Sequence, residues 1–100
     1  MAKRVTRPQE MTISGKVFKI KYVDQIEGEG VWGETDSVTK TIKLASEATC
    51  TEERLEDTLL HEVIHAIIGL AGLSQLLEPN LEEAVVVALE NGLGDLYVRK

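Results

Sequence analysis

Both histidines of the chain fall within five residues, His61-Glu62-Val63-Ile64-His65, inside an aliphatic run. Leu59, Leu60, Ile64, Ile67 and Ile68 flank them, and a solvated surface helix would not set two histidines among so many aliphatic neighbours. On an α-helix, residues four apart lie on one face a turn apart. His61 and His65 can then bring two ring nitrogens to one point, at the roughly 2.0–2.1 Å that zinc prefers. Glu62 points beside that point, where its carboxylate reaches a water rather than the metal. An H-E-x-x-H helix of this kind predicts metal-assisted hydrolysis, with Glu62 taking a proton from the water that the metal acidifies.

One hundred residues support one domain, and 43% hydrophobic content is ordinary for a globular protein. Only four aromatic residues are present, so the core is expected to be aliphatic. A net charge of −6 argues against a general nucleic-acid binder. No apolar run reaches the roughly 18 residues of a membrane span, and no apolar segment follows Met1-Ala2-Lys3-Arg4 as a secretory signal would require. Cys50 is the single cysteine and forms no internal disulfide; it reads as a small residue before the helix rather than a ligand. A soluble intracellular protein is the expectation.

Along the chain, residues 1–10 read as a flexible basic arm carrying Lys3, Arg4, Arg7 and Pro8, and residues 11–100 as one domain. Residues 11–23 alternate, with Phe18, Ile20 and Tyr22 on one face and Lys19 and Lys21 on the other, which predicts a half-buried strand. Asp24 to Gly33 reads as a loop, with Trp32 covering the core, ahead of the alternative that it borders a cleft, and a short strand around Val31 and Trp32. Residues 38–45 predict another strand, with Ile42 and Leu44 inward. Short connections favour antiparallel hairpins. Thr51 fits an N-cap for a helix reaching about Leu70, with Glu52 and Glu53 in its first turn. Leu73 to Leu77 suggests a short helical turn, and Pro79-Asn80 opens a last helix ending near Val98. The fold class is therefore α+β: a small antiparallel sheet of two to three strands packed on the H-E-x-x-H helix and a C-terminal helix.

A catalytic zinc takes three protein ligands and keeps a fourth position open. There is no third histidine, and Ala71 stands where the longer H-E-x-x-H-x-x-G-x-x-H pattern requires one. The third ligand must be a carboxylate on a second helix, and Glu82 and Glu83 open the last one. Asn80-Leu81-Glu82-Glu83 also has capping-box spacing, which would tie up Glu83 and leave Glu82 as ligand.

His61-Glu62-x-x-His65 followed by a helix headed by Glu82-Glu83 resembles the gluzincin metallopeptidases. The small size and the run from Thr58 to Ala66 resemble the minimal H-E-x-x-H proteins of phages and prophages, which are similar to the ImmA/IrrE-type zinc peptidases. The resemblance covers roughly residues 38–97. It implies a minimal zincin fold, one zinc ion (Zn2+) per chain and a metallopeptidase acting on a peptide or protein substrate. It favours Glu83 over Glu82 as third ligand, because a leucine, Leu89, follows six residues later. Glu90 stands where the pattern has alanine, and Val87 where it often has an Asp or Asn partner. Zincins bind the substrate main chain along an edge strand, which the resemblance places near Val38–Ala45. Tyr22, Tyr97 and the basic side chains are the options for stabilising the oxyanion. The alternative expectation is a zinc-binding regulatory or interaction module without turnover.

Overall fold

The computed structural model describes residues 7–27 and 31–94. Four strands come first: β1 (Glu10–Ile13), β2 (Lys16–Val23), β3 (Gly33–Asp36) and β4 (Thr41–Ala45). A 3-10 turn at Ser46–Thr49 leads into helix α1 (Glu52–Leu70). A second 3-10 turn, Leu73–Gln75, precedes α2 (Pro79–Gly94). The fold is α+β, and no described helix is long and apolar enough to cross a membrane.

The single strand expected over residues 11–23 is a hairpin. Ser14 and Gly15 both have positive φ, 50° and 79°. Two such residues in succession make the tight turn whose twist matches paired strands. Gly15 enters that region freely, and Ser14 is the residue that sequence periodicity did not mark as a break. β1 then pairs antiparallel with β2, Met11 opposite Phe18.

The sheet is also neither two- to three-stranded nor purely antiparallel. Its order is β1-β2-β4-β3, with β4 parallel to β2 and antiparallel to β3. β4 carries Ile42 and Leu44, both fully buried, and such a strand belongs in the middle of a sheet. β3 is Gly-Glu-Thr-Asp, with no large apolar side chain, and takes the edge, where polar strands are tolerated. The expected strand at Val31–Trp32 instead begins at Gly33, two residues after Val31. The expected strand 38–45 is shortened because Asp36 Oδ1 accepts the main-chain N–H groups of Val38 and Thr39, at 2.9 and 3.1 Å. That side-chain turn delays β4 to Thr41.

One face of the sheet is covered. Phe18, Ile20, Ile42 and Leu44 pack with Ile13 against Leu55 and Ala66 of α1. A second apolar cluster, Ile64, Ile68 and Val86, fixes α2 on the far side of α1. α1 begins where expected: Thr51 Oγ1 accepts the Arg54 N–H at 3.1 Å. This double packing places α1 between the sheet and α2. Arg7 donates to Thr49 Oγ1 at 3.4 Å and lies 5.6 Å over the Tyr22 ring, so the segment just ahead of β1 lies against the sheet. Lys3 and Arg4 of the expected arm lie outside the described residues, as do Leu96, Tyr97 and the expected helix end at Val98.

Candidate metal centre

His61 and His65 stand one turn apart on α1, their ring centroids 5.0 Å apart and their planes at 61°. α2 lies alongside and offers them three glutamates. Glu83 and Glu90 are seven residues, or two turns, apart and so share a face; Glu82 is adjacent.

The hydrogen bonds define which ring nitrogens face outward. His61 Nδ1–H donates to Glu90 Oε1 at 2.9 Å, and His65 Nδ1–H donates to Glu82 Oε2 at 2.8 Å. A carboxylate can only accept, so both Nδ1 atoms carry a hydrogen, and both Nε2 atoms face another partner, as lone pairs toward a cation in the neutral ring and as N–H donors in the imidazolium. That partner is Glu83. Its Oε1 lies 2.7 Å from His61 Nε2 and its Oε2 lies 3.4 Å from His65 Nε2.

The three ligand atoms of His61, His65 and Glu83 lie within 4.8 Å of one another. Donors on a tetrahedral zinc stand roughly 3.3 Å apart, given bonds of about 2.0–2.2 Å. The 2.7 and 3.4 Å separations run to different oxygens of Glu83, and the three ligand atoms spread over as much as 4.8 Å, so they have to readjust by roughly 0.6–1.5 Å to stand at that spacing. Glu83 is half-exposed and its side chain has room to make that change. Two neutral imidazoles and a carboxylate, with the imidazoles held from behind by carboxylates, match what zinc takes. The capping-box alternative for Glu83 gives way because Glu78 caps α2 instead: its Oε1 accepts the Leu81 N–H at 2.7 Å.

Glu62 lies to the other side, against β3. Its carboxylate is buried, 6% exposed, and Thr35 Oγ1 lies 2.7 Å from its Oε1. The same hydroxyl is 3.0 Å from the Glu62 carbonyl oxygen, and its one hydrogen goes to the shorter, charged partner. Gly33 makes the space: a Cβ there would stand 2.8 Å from Glu62 Oε2 and 2.9 Å from its Cγ. Burial pushes the Glu62 pKa up, against the Thr35 hydrogen bond and the two histidines, and Glu83 adds to the rise. A raised carboxylate is suited to accept a proton and pass it on.

Burial opposes protonation of His61, but its hydrogen bond to Glu90 and the charges of Glu62, Glu83 and Glu90 outweigh it, and its pKa is raised. His61 and Glu62 therefore both hold protons more readily folded than unfolded. Their contributions to stability are complete below the unfolded values, about 6.5 and 4.3, and fade as pH rises through the raised folded ones. Glu82 has the opposite sign, burial being outweighed by hydrogen bonds from Ser74 and His65. Its contribution is lost only on acidification below the usual carboxylate range. Metal-free protein is thus expected to melt at a progressively lower temperature from about pH 6 to pH 8. Zinc-loaded protein should gain over that range, since the ion displaces protons. A metal-free melting temperature that climbs with pH contradicts the site's electrostatics.

A cleft runs between β3 and α2 across this centre. Its first half, about 410 Å³, lies under Val31 and Trp32 and reaches Asp57, His61 and Glu90. Its second half, about 280 Å³, lies beside Thr35 and Ser37 and reaches His65, Ser74 and Glu82. Gly33, His61, Glu62 and Glu83 line both. Trp32, expected in the core, instead walls this cleft at 36% exposure, held by Glu47, which accepts its Nε1–H at 3.1 Å, and by Arg54, 5.2 Å from its ring.

The strand expected near Val38–Ala45 as a docking edge is interior, because β4 pairs on both sides; the free edge beside the cleft is β3. Tyr22 is away from the centre, its hydroxyl donating to the Pro8 carbonyl and its pKa raised by burial. Tyr97 lies outside the described residues. Cys50 is exposed and joins no ligand group among the described residues.

Sequence reasoning did not find Thr35, Gly33 or the role of Glu90. Only Glu90 left a signal, its spacing of two full turns after Glu83. The chain matches no known family model, no curated protein and no solved structure.

Proposed function

We propose that the protein is a zinc-dependent metallopeptidase of minimal zincin type, with His61, His65 and Glu83 as ligands and Glu62 as general base. The observation that carries the reading is the orientation of the two imidazoles. Both Nδ1 hydrogens are given to carboxylates and both Nε2 atoms converge on a third carboxylate. A helix with two satisfied structural histidines needs no such convergence.

The ion, when bound, supplies Lewis acidity, making a water acidic and a carbonyl electrophilic. The rest falls to this chain. Glu90 and Glu82 fix the tautomers. Glu62 takes a proton from the attacking water and later hands it to the leaving amine. Thr35 and Gly33 hold the Glu62 carboxylate in place. β3 offers an extended peptide its free edge.

The register shows which groups it offers. Ala45 N–H donates to Trp32 O at 2.9 Å, so the Trp32–Ala45 pair is hydrogen-bonded. Such pairs alternate in antiparallel ladders, so Gly33 and Thr35 turn their N–H and C=O groups away from β4 toward the edge. These are the residues that touch Glu62, so peptide main chain and general base share one support.

The test is cleavage of an unfolded protein by purified chain, stripped of metal with a chelator and then resupplied with zinc. Activity lost and restored, with one zinc bound per chain, is the expected result. One bound zinc with no cleavage in any state makes the protein a binding module, and no bound zinc removes the reading.

A further inference from the structure

We propose that α2 is an arm that opens on its own and that the metal clasps shut. Without the ion, α2 leaves α1 while α1 stays folded on the sheet; zinc bridging His61 and His65 to Glu83 docks it. The inference rests on the ligand assignment of the metal centre and not on turnover.

The packing is uneven on the two sides of α1. Toward the sheet, Leu55 and Ala66 join Ile13, Phe18, Ile20, Ile42 and Leu44 in one buried cluster. Toward α2 the buried cluster is Ile64, Ile68 and Val86, with Leu60, Leu77 and Val85 partly covered. Val86 is the one buried side chain in the described part of α2, and Leu81, Val87, Leu89 and Leu93 stay exposed. Among the described residues, α1 is also the one element against which α2 packs extensively. Hydrophobic stabilisation follows the apolar area removed from water, so α2 is held less firmly than the sheet. Elements with few buried apolar contacts open locally before the whole fold does.

Charge widens the difference. α2 carries Glu82, Glu83 and Glu90 and no lysine or arginine among its described residues. All three converge on the two imidazoles, at 2.7–2.9 Å for their shortest contacts, with Glu62 lining the same cleft. Like charges gathered in this way repel, and movement of α2 away from α1 relieves the repulsion. The hydrogen bonds to the imidazoles offset only part of it, because water supplies the same bonds to the separated groups.

A dication reverses the balance. His61 and His65 belong to α1 and Glu83 to α2, so the ligand set is complete only in the docked arrangement. A ligand that binds one arrangement more tightly shifts the population toward it. The ion would thereby keep Ile64, Ile68 and Val86 covered, which the open form exposes.

Hydrogen exchange read residue by residue, on chelator-stripped protein and on protein in excess zinc, tests this. Without metal, the amides of residues 84–92 should exchange at least about tenfold faster than those of residues 59–66. Excess zinc should slow residues 84–92 at least about tenfold. In Glu83→Gln at saturating zinc that slowing should be lost, since the ion then holds α1 alone. Glu83 is half-exposed, so the apolar packing of α2 is unchanged in that variant. Metal-free α2 amides that exchange in step with those of α1 overturn the inference. So does zinc that binds and leaves α2 exchange unchanged, or slowing that persists undiminished in Glu83→Gln. A chain that binds no zinc overturns the metal centre and this inference together. A chain that binds zinc, closes α2 and cleaves nothing keeps this inference and loses only the hydrolase.

Discussion

Glu62→Gln is expected to reduce peptide hydrolysis by roughly 10²–10⁴ in kcat, the usual contribution of a positioned general base, while zinc stays bound. The substitution is close to isosteric. Thr35 can still donate to the amide oxygen that replaces Oε1, and Gly33 still leaves room for the group. The fold should therefore survive, with a melting temperature close to wild type. What is lost is the ability to take a proton. The residue next to His61 is buried against a strand and not spread toward solvent, so no other carboxylate stands ready in its position. Glu83 is committed to the imidazole Nε2 atoms, and Glu82 and Glu90 to the Nδ1 hydrogens. Undiminished cleavage by the Gln variant would mean that Glu62 is a structural acid and the hydrolytic account is wrong.

The second large effect concerns the glutamates of α2. Glu83→Gln should lower zinc affinity most, because on the proposed assignment it removes a ligand. Glu82→Gln and Glu90→Gln should each lower it by about 10–100-fold, the typical effect of losing a partner behind a ligating histidine. On the proposed assignment those two variants keep all three ligands, but one imidazole gives its Nδ1–H to a neutral amide oxygen in place of a carboxylate and is the weaker base for it. Competition with a calibrated zinc chelator separates the three. A Glu82 variant that binds no zinc, beside a Glu83 variant that binds as wild type does, would reverse the roles.

Much of this site was legible from one helix. The H-E-x-x-H spacing fixed the two imidazoles, and Thr51, the acidic first turn and the aliphatic stripe fixed the limits of α1. These signals are local, and local signals survive packing. The sheet was harder because its decisions are not local. Ser14 looks like any polar residue in an alternating strand, and only the left-handed turn reveals the hairpin. The insertion of β4 between β2 and β3 depends on which strand has enough apolar surface to sit centrally. That comparison across 25 residues is invisible to periodicity. The support of Glu62 by Thr35 and Gly33 comes from that same long-range placement. Glu83 was favoured by family resemblance, and the packing of α2 adds an independent physical argument, since Glu78 takes over the capping duty.

The most direct measurement is zinc K-edge X-ray absorption on protein loaded with one equivalent of the ion, repeated on Glu83→Gln. The account predicts two imidazole nitrogens at about 2.0–2.1 Å and one carboxylate oxygen at about 2.0–2.2 Å, with a further light-atom ligand from solvent. The carboxylate should disappear in the variant. A spectrum with only one imidazole, with sulfur from Cys50, or with an oxygen shell unchanged by Glu83→Gln would contradict it.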